Sequence, residues 1–83
     1  MYYKSKYVVF EDERGLVIPM VFSELMQHVS MVPSNVKVLG AGFCYINEKG
    51  LYQCYGQSVG LGVQSREDDT RILNKYLGTI VDD

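Results

Sequence analysis

The sequence predicts a two-layer α+β fold, in which two helices cover one side of an antiparallel sheet of about four strands in the order ββαββα. Two observations predict this fold. Two pairs of β-rich runs each flank a turn that ends in glycine, and each pair is followed by a segment with helical periodicity. At 83 residues the chain is expected to form a single domain, residues 1–83, near the size at which one hydrophobic core is only just adequate.

The first hairpin is predicted from the run KYVVFE at residues 6–11 and the run LVI at residues 16–18, with the turn DERG between them. Gly15 ends this turn, because glycine adopts left-handed backbone dihedrals at little steric cost. Pro19 has no backbone N–H to donate to a neighbouring strand. The proline therefore marks either an edge position or the end of the second strand.

Two helices are predicted, over residues 23–31 and 66–77. Ser23 is a suitable N-cap for the first helix, and Ser65 with Asp68 resembles a capping box at the start of the second. Gly78 is expected to end the second helix. The apolar stripes expected to face the sheet are Phe22, Leu25, Met26 and Val29 in the first helix, and Ile72, Leu73, Tyr76, Leu77 and Ile80 in the second.

The second hairpin is predicted to be long and to turn at residues 48–50 (EKG), with Asn47 opposite Leu51. This register places Cys44 opposite Cys54. One face of the hairpin then carries a stripe of glycines, and the other face is aromatic and aliphatic. The glycine stripe indicates close approach of either a packed helix or a bound ligand.

The apolar face of this hairpin predicts self-association. If both helices cover the glycine stripe, the opposite face stays open, and monomers rarely expose a contiguous apolar patch of this kind. We therefore expect a homo-oligomer, a dimer or a tetramer, joined through these sheet faces. The interface residues predicted are Leu39, Phe43, Tyr45, Tyr55, Val59 and Leu61.

Composition narrows the classes of function. The net charge of −2 argues against a general nucleic-acid binder. No apolar run approaches the length of about 18 residues needed to span a bilayer, so no membrane contact is expected. The N-terminal segment lacks the pattern of a secretory signal, which predicts a cytoplasmic protein with reduced cysteines.

The residues that could carry chemistry favour structural roles. A lone His28 lacks the positioned partners that general-base catalysis requires. Cys44 and Cys54 do not have the spacing of a zinc site. The acidic run at residues 67–69 is typical of a first helical turn that compensates the helix dipole. We therefore expect neither an enzyme nor a protein with a metal or cofactor site.

The N-terminal segment supports an alternative function, single-stranded nucleic-acid binding. Tyrosines and lysines are interleaved there, and such a run could stack on bases and neutralise phosphates. It is equally typical of an ordinary edge strand with protective lysines. The nucleic-acid contacts predicted are Tyr2, Tyr3, Lys4, Lys6 and Tyr7.

Three motifs carry a resemblance to a known family: FSxLxxH at residues 22–28, AGF at 41–43 and CYGxSVxLxVxSRxDD at 54–69. With them, most of residues 15–78 resembles a family of small proteins encoded in phage and prophage genomes. The chain departs from the usual pattern at residues 65–69, where SREDD stands in place of Ser-Arg-Pro-Glu-Asp. The family has no established activity, so the resemblance implies a bacterial host cell and no mechanism.

Together these observations predict a non-enzymatic, phage-type accessory protein of the bacterial cytoplasm that acts through protein–protein contact, with a host protein as the candidate partner. The alternative is the single-strand nucleic-acid binder.

Overall fold

The structure is a computed structural model that describes residues 4–78. The elements in chain order are β1 (Ser5–Glu11), β2 (Val17–Ser23), α1 (His28–Met31), β3 (Lys37–Ile46), β4 (Tyr52–Tyr55), β5 (Gln57–Ser58), β6 (Val63–Gln64) and α2 (Glu67–Leu77). The described part of the chain is thus an α+β fold, as predicted. The long second strand predicted for the second hairpin ends at Tyr55, and the chain beyond it forms two short strands, β5 and β6, before the last helix.

The main sheet has four strands in the order β2-β1-β3-β4, with all neighbours antiparallel, and β5 pairs with β6 in a second sheet of two strands. Pro19 lies within β2, opposite Val9. Because β2 is an edge strand, the missing N–H of this proline need not interrupt the hydrogen bonding between strands. Of the two positions predicted for Pro19, the edge position is confirmed.

The two predicted hairpin turns are confirmed and share one design. In the first, the Asp12 N–H donates to the Leu16 carbonyl (3.0 Å), and the Asp12 carboxylate accepts the Leu16 N–H (2.9 Å). In the second, the Asn47 N–H donates to the Leu51 carbonyl (2.8 Å), and the Asn47 side-chain oxygen accepts the Leu51 N–H (3.1 Å). The glycine that ends each turn has a positive φ of about 80°.

The predicted register of the second hairpin is confirmed only next to its turn. Phe43 pairs with Tyr55 and Cys44 with Cys54, as predicted. Beyond Tyr55 the register is wrong, because Gly56 takes a φ of +78° and the regular pairing with β3 ends there. The chain then forms β5 and β6, which pair with each other.

The helix predicted over residues 23–31 is wrong, because only the single turn α1 is helical. Ser23 is the last residue of β2, where it pairs with Ser5. The Ser23 hydroxyl accepts the N–H of Leu25 (3.1 Å), and such a local turn competes with helix formation. Of the predicted stripe, Phe22 is buried from the strand, whereas Leu25, Met26 and Val29 are exposed.

The second predicted helix is confirmed as α2, which begins one residue later than predicted and ends before Gly78. Its N-terminal bond also lies one residue later, because Asp69 rather than Asp68 accepts the N–H of Arg66 (3.0 Å). Ile72 and Leu73 are buried as predicted, whereas Tyr76 is exposed. Ile80 lies outside the described residues.

The two helices pack on opposite faces of the sheet, so the prediction that both cover one face is wrong. Alternate residues of a strand point to opposite faces. Tyr7 and Val9 of β1 pack with α2, and Val8 and Phe10 pack against Met31 at the end of α1. The second face is also covered by Leu61 and Val63, from the β5–β6 region.

Candidate functional site

The glycine stripe is filled by the protein itself where α2 crosses it. A Cβ atom on Gly40 would collide with the Asp69 carboxylate. This carboxylate is fully buried and accepts hydrogen bonds from the Tyr7 hydroxyl (2.6 Å) and from the Arg66 guanidinium (2.7 and 2.9 Å). At Gly40 the glycine therefore serves helix packing, and the space a ligand would need is occupied by Asp69.

Cys44 and Cys54 face each other across β3 and β4 as free thiols. Burial raises the pKa of Cys44 to about 12, and Cys54 adds a smaller contribution in the same direction. Burial also raises the pKa of Cys54 to about 11. Because the thiolate is the reactive form, both cysteines belong to the core and not to a reactive site.

The outer edge of β4 is closed by side chains of α2. The Asn74 side chain accepts the Tyr52 N–H (2.7 Å) and donates to the Tyr52 carbonyl (3.1 Å), as a neighbouring strand would. The Thr70 hydroxyl accepts the N–H of Cys54 (3.1 Å). A partner strand therefore cannot add to this edge without displacing α2.

An open surface remains on the opposite face, where three aromatic rings of β3 and β4 meet. The rings of Phe43 and Tyr55 lie 5.9 Å apart between centroids, and those of Tyr45 and Tyr55 also lie 5.9 Å apart. Lys4 places its ammonium group 4.4 Å above the centre of the Phe43 ring. These contacts make a continuous aromatic floor that is only partly covered.

His28 closes one end of this floor from α1. It is buried, and its Nε2 atom donates to the carbonyl of Gly42 (2.9 Å). Its ring also packs edge-on against Phe22 and Phe43, at 5.4 and 6.2 Å between centroids. This hydrogen bond fixes the ring and gives His28 a structural role as a wall of the surface.

Two adjoining concavities of about 570 and 490 Å³ lie over the aromatic floor and share Lys4 and Tyr55. We call them together the aromatic groove. The larger concavity is lined by Lys4, Lys6, Gln27, His28, Val29, Phe43 and residues 55–60, and the smaller by Lys4, Tyr45, Asn47, Glu48, Lys49 and Tyr55.

Exposed aliphatic side chains stand at the larger concavity. Val59 is 83 % exposed and Val29 is 49 % exposed, and both line it. Leu25, in the loop before α1, is 89 % exposed but lines neither concavity. An isolated exposed leucine or valine is ordinary, whereas aliphatic residues beside exposed aromatic rings mark an interaction surface.

The charge around the aromatic groove differs in sign from that of the whole chain. Lys4, Lys6 and Lys49 line it together with one acidic residue, Glu48. Lys6 is anchored, because its ammonium group donates to the carbonyl of Met26 (2.7 Å). Within residues 4–78 the two ion pairs, Arg66–Asp69 and Arg71–Asp68, lie in α2 and at its start.

The six predicted interface residues do not form one face. Leu39 packs with the core cluster under α2, because an irregularity in the β1–β3 pairing shifts its side chain to that side. Leu61 packs into the core cluster of the opposite face. Phe43, Tyr45, Tyr55 and Val59 do line the aromatic groove.

The five predicted nucleic-acid contacts are also divided. Lys4 and Lys6 line the aromatic groove. Tyr7 is fully buried and bonded to Asp69, so its ring cannot stack on a base, and this prediction is wrong. Tyr2 and Tyr3 lie outside the described residues.

The acidic residues 67–69 at the start of α2 differ in burial. Asp69 is buried, and Asp68 makes an exposed ion pair with Arg71 (3.3 Å). No group of three or more potential metal ligands occurs among residues 4–78. In the same range, no helix has the length and apolar character needed to cross a membrane.

Sequence reasoning missed His28, Val29 and Lys49 as parts of one surface. They come from α1 and from the second turn, which no sequence spacing relates. The only local signal was the alternation of large apolar residues in β3 and β4, which indicated an aromatic face.

Comparison of the chain with protein-family models, with curated proteins and with solved structures found no match. The resemblance to small phage and prophage proteins stays a prediction.

Proposed function

We propose that the protein is a non-enzymatic accessory protein that acts through protein–protein contact at the aromatic groove. The observation that carries the proposal is the combination of a partly open aromatic floor with a strongly exposed aliphatic residue, Val59, beside it. Aromatic residues dominate the buried centres of protein interfaces, and aliphatic neighbours complete the exclusion of water.

The positions of the reactive side chains support a role without catalysis. His28 is held by the Gly42 carbonyl and packed between two phenylalanines, and both cysteines are protonated core residues at neutral pH. Within residues 4–78, the His28 side chain bonds a backbone carbonyl and not a nucleophile of the kind that covalent or acid–base catalysis uses.

The cellular setting of the proposal comes from the family resemblance alone. On this resemblance we propose a phage-type protein of the bacterial cytoplasm whose partner is a host protein.

The proposal is tested by affinity capture from a bacterial extract, with and without nuclease. We expect the same proteins to be retained under both conditions. The double variant Val29→Ser with Val59→Ser should lose them, because it removes the aliphatic contacts while changing only exposed positions. The matched control, Leu16→Ser with Leu51→Ser, alters two exposed aliphatic residues outside the groove and should retain them. Capture that is unaffected by the groove variant would reject the proposal.

A second candidate function is binding of single-stranded nucleic acid, and one observation favours it. Lys4 lies over the Phe43 ring, and three lysines line the groove around exposed Tyr55. Aromatic platforms flanked by cations are typical of proteins that bind single strands.

This second function is tested with a labelled oligothymidylate in a titration at low and high salt. If it is correct, binding is salt-sensitive and is weakened by Lys4→Ala with Lys6→Ala. Absence of binding at low salt would exclude it.

A further inference from the structure

We propose that the partner segment bound by the aromatic groove is acidic and carries an aromatic or aliphatic anchor residue. This inference rests on the proposed function and specifies the chemistry of the partner.

The acidic character follows from the charges at the groove. Lys4 and Lys49 are exposed, and neither is in an ion pair within residues 4–78. Lys4 lies over the aromatic floor and Lys49 lies in the turn at the far end of the smaller concavity. Their cationic groups therefore stand at separate points along the groove, where carboxylates of a bound segment would meet them.

The anchor residue follows from the shape and lining of the larger concavity. Its floor is formed by Phe43 and Tyr55 and its sides carry Val29 and Val59. A volume of about 570 Å³ accommodates a few side chains, and an apolar side chain inserted there would bury both valines.

Nucleic acid fits these features less well. Bases bind through stacking on aromatic faces, and exposed valines offer no such face.

A second copy of the chain fits less well for a different reason. In a two-fold symmetric dimer the same patch of each copy meets the other. Joining two copies through the groove would bring together two patches that each carry three lysines and one glutamate, and like net charges at an interface are unfavourable.

The inference is tested by fluorescence anisotropy with four labelled probes. These are a random copolymer of glutamate and tyrosine, polyglutamate, a random copolymer of lysine and tyrosine, and oligothymidylate. We expect the glutamate–tyrosine copolymer to bind most tightly. Polyglutamate should bind more weakly because it lacks an anchor, and the lysine–tyrosine copolymer should not bind.

Charge-reversal variants locate the site. Lys4→Glu with Lys49→Glu should weaken binding of the glutamate–tyrosine copolymer by about tenfold or more, since two attractive charge pairs are lost and each is replaced by a repulsive one. Lys37→Glu with Lys75→Glu produces the same change in net charge at exposed lysines outside the groove, and it should have a much smaller effect. Equal effects of the two variants would overturn the inference, because binding would then depend on overall charge alone.

The remaining outcomes separate this inference from the proposed function. Tightest binding of oligothymidylate would favour nucleic acid, and a groove-dependent, concentration-dependent doubling of mass in sedimentation would favour a second copy. Either result overturns the inference. If the copolymer does not bind but capture from the extract still depends on Val29 and Val59, the acidic chemistry is wrong and the proposed function stands. If neither depends on the groove, both are rejected.

Discussion

At the scale of single residues, Gly40 and Asp69 determine how closely α2 approaches the sheet. Gly40 leaves the space that the Asp69 carboxylate occupies, and the carboxylate joins β1 to α2 through its bonds to Tyr7 and Arg66. A buried carboxylate is tolerated only when its hydrogen-bonding capacity is satisfied. The missing side chain at Gly40 is therefore a condition for this polar cluster.

The first prediction follows from that contact. Gly40→Ala should lower the free energy of unfolding by about 1–3 kcal/mol, because the added methyl group must displace Asp69. Gly60→Ala is the matched control, since its Cβ would meet only a methyl group of half-exposed Val29 (3.3 Å). Urea unfolding measures both variants, and an equal loss of stability in the two would contradict the packing role of Gly40.

At the scale of elements, β4 depends on α2 for its outer hydrogen bonds. Asn74 bonds both backbone groups of Tyr52, and Thr70 bonds the N–H of Cys54. Exposed strand edges favour pairing with other chains. Covering this edge of the sheet removes β4 as a place where a strand of another chain could pair.

The second prediction concerns this edge. Asn74→Ala should lower the free energy of unfolding by about 1–3 kcal/mol, since two backbone groups lose their partners. Hydrogen exchange at the Tyr52 amide should accelerate, whereas it should stay slow in the control Lys75→Ala, which changes the exposed neighbour. Unchanged protection of Tyr52 in Asn74→Ala would show that the side-chain bonds do not hold the edge.

The elements also show which features a sequence can specify. Both hairpin turns were predictable, because Asp12 and Asn47 bond their own turns and Gly15 and Gly50 supply the positive φ locally. The short extent of the first helix was not predictable. The spacing of Leu25 and Val29 fits a longer helix whether or not other residues cover these two side chains, and in the structure both are exposed. The groove was only partly predictable. The pairing of β4 with β3 ends before Gly56, which has a positive φ, and residues 57–60, expected to continue the hairpin, line the groove instead.

At the scale of the whole molecule, the core contains two thiols and one phenol whose pKa is higher in the folded state than in a free side chain. Burial raises the pKa of Cys44 to about 12 and of Cys54 to about 11, from an ordinary value of 9.0. Burial and the hydrogen bond to Asp69 also raise the pKa of Tyr7. The folded state therefore holds these protons more tightly than the unfolded state.

The third prediction is the resulting dependence of stability on pH. For a group with a raised pKa in the folded state, the stabilisation is complete below the unfolded pKa and is lost as the pH rises through the folded value. The urea midpoint should therefore fall steadily from about pH 9 upwards. Cys44→Ala with Cys54→Ala should lower stability at every pH but show a shallower decline. A midpoint that is constant up to about pH 11 would contradict the raised pKa values.

The central claim is that the aromatic groove binds a protein, and site-specific photo-crosslinking in bacterial cells tests it most directly. The crosslinker p-benzoylphenylalanine would replace Val59 at the groove or, as a control, exposed Leu16 in the first turn. We predict that Val59→p-benzoylphenylalanine yields a discrete, nuclease-resistant adduct with another protein, and that the Leu16 variant yields none. An adduct of equal yield from both positions, or a nuclease-sensitive adduct at Val59, would contradict the claim.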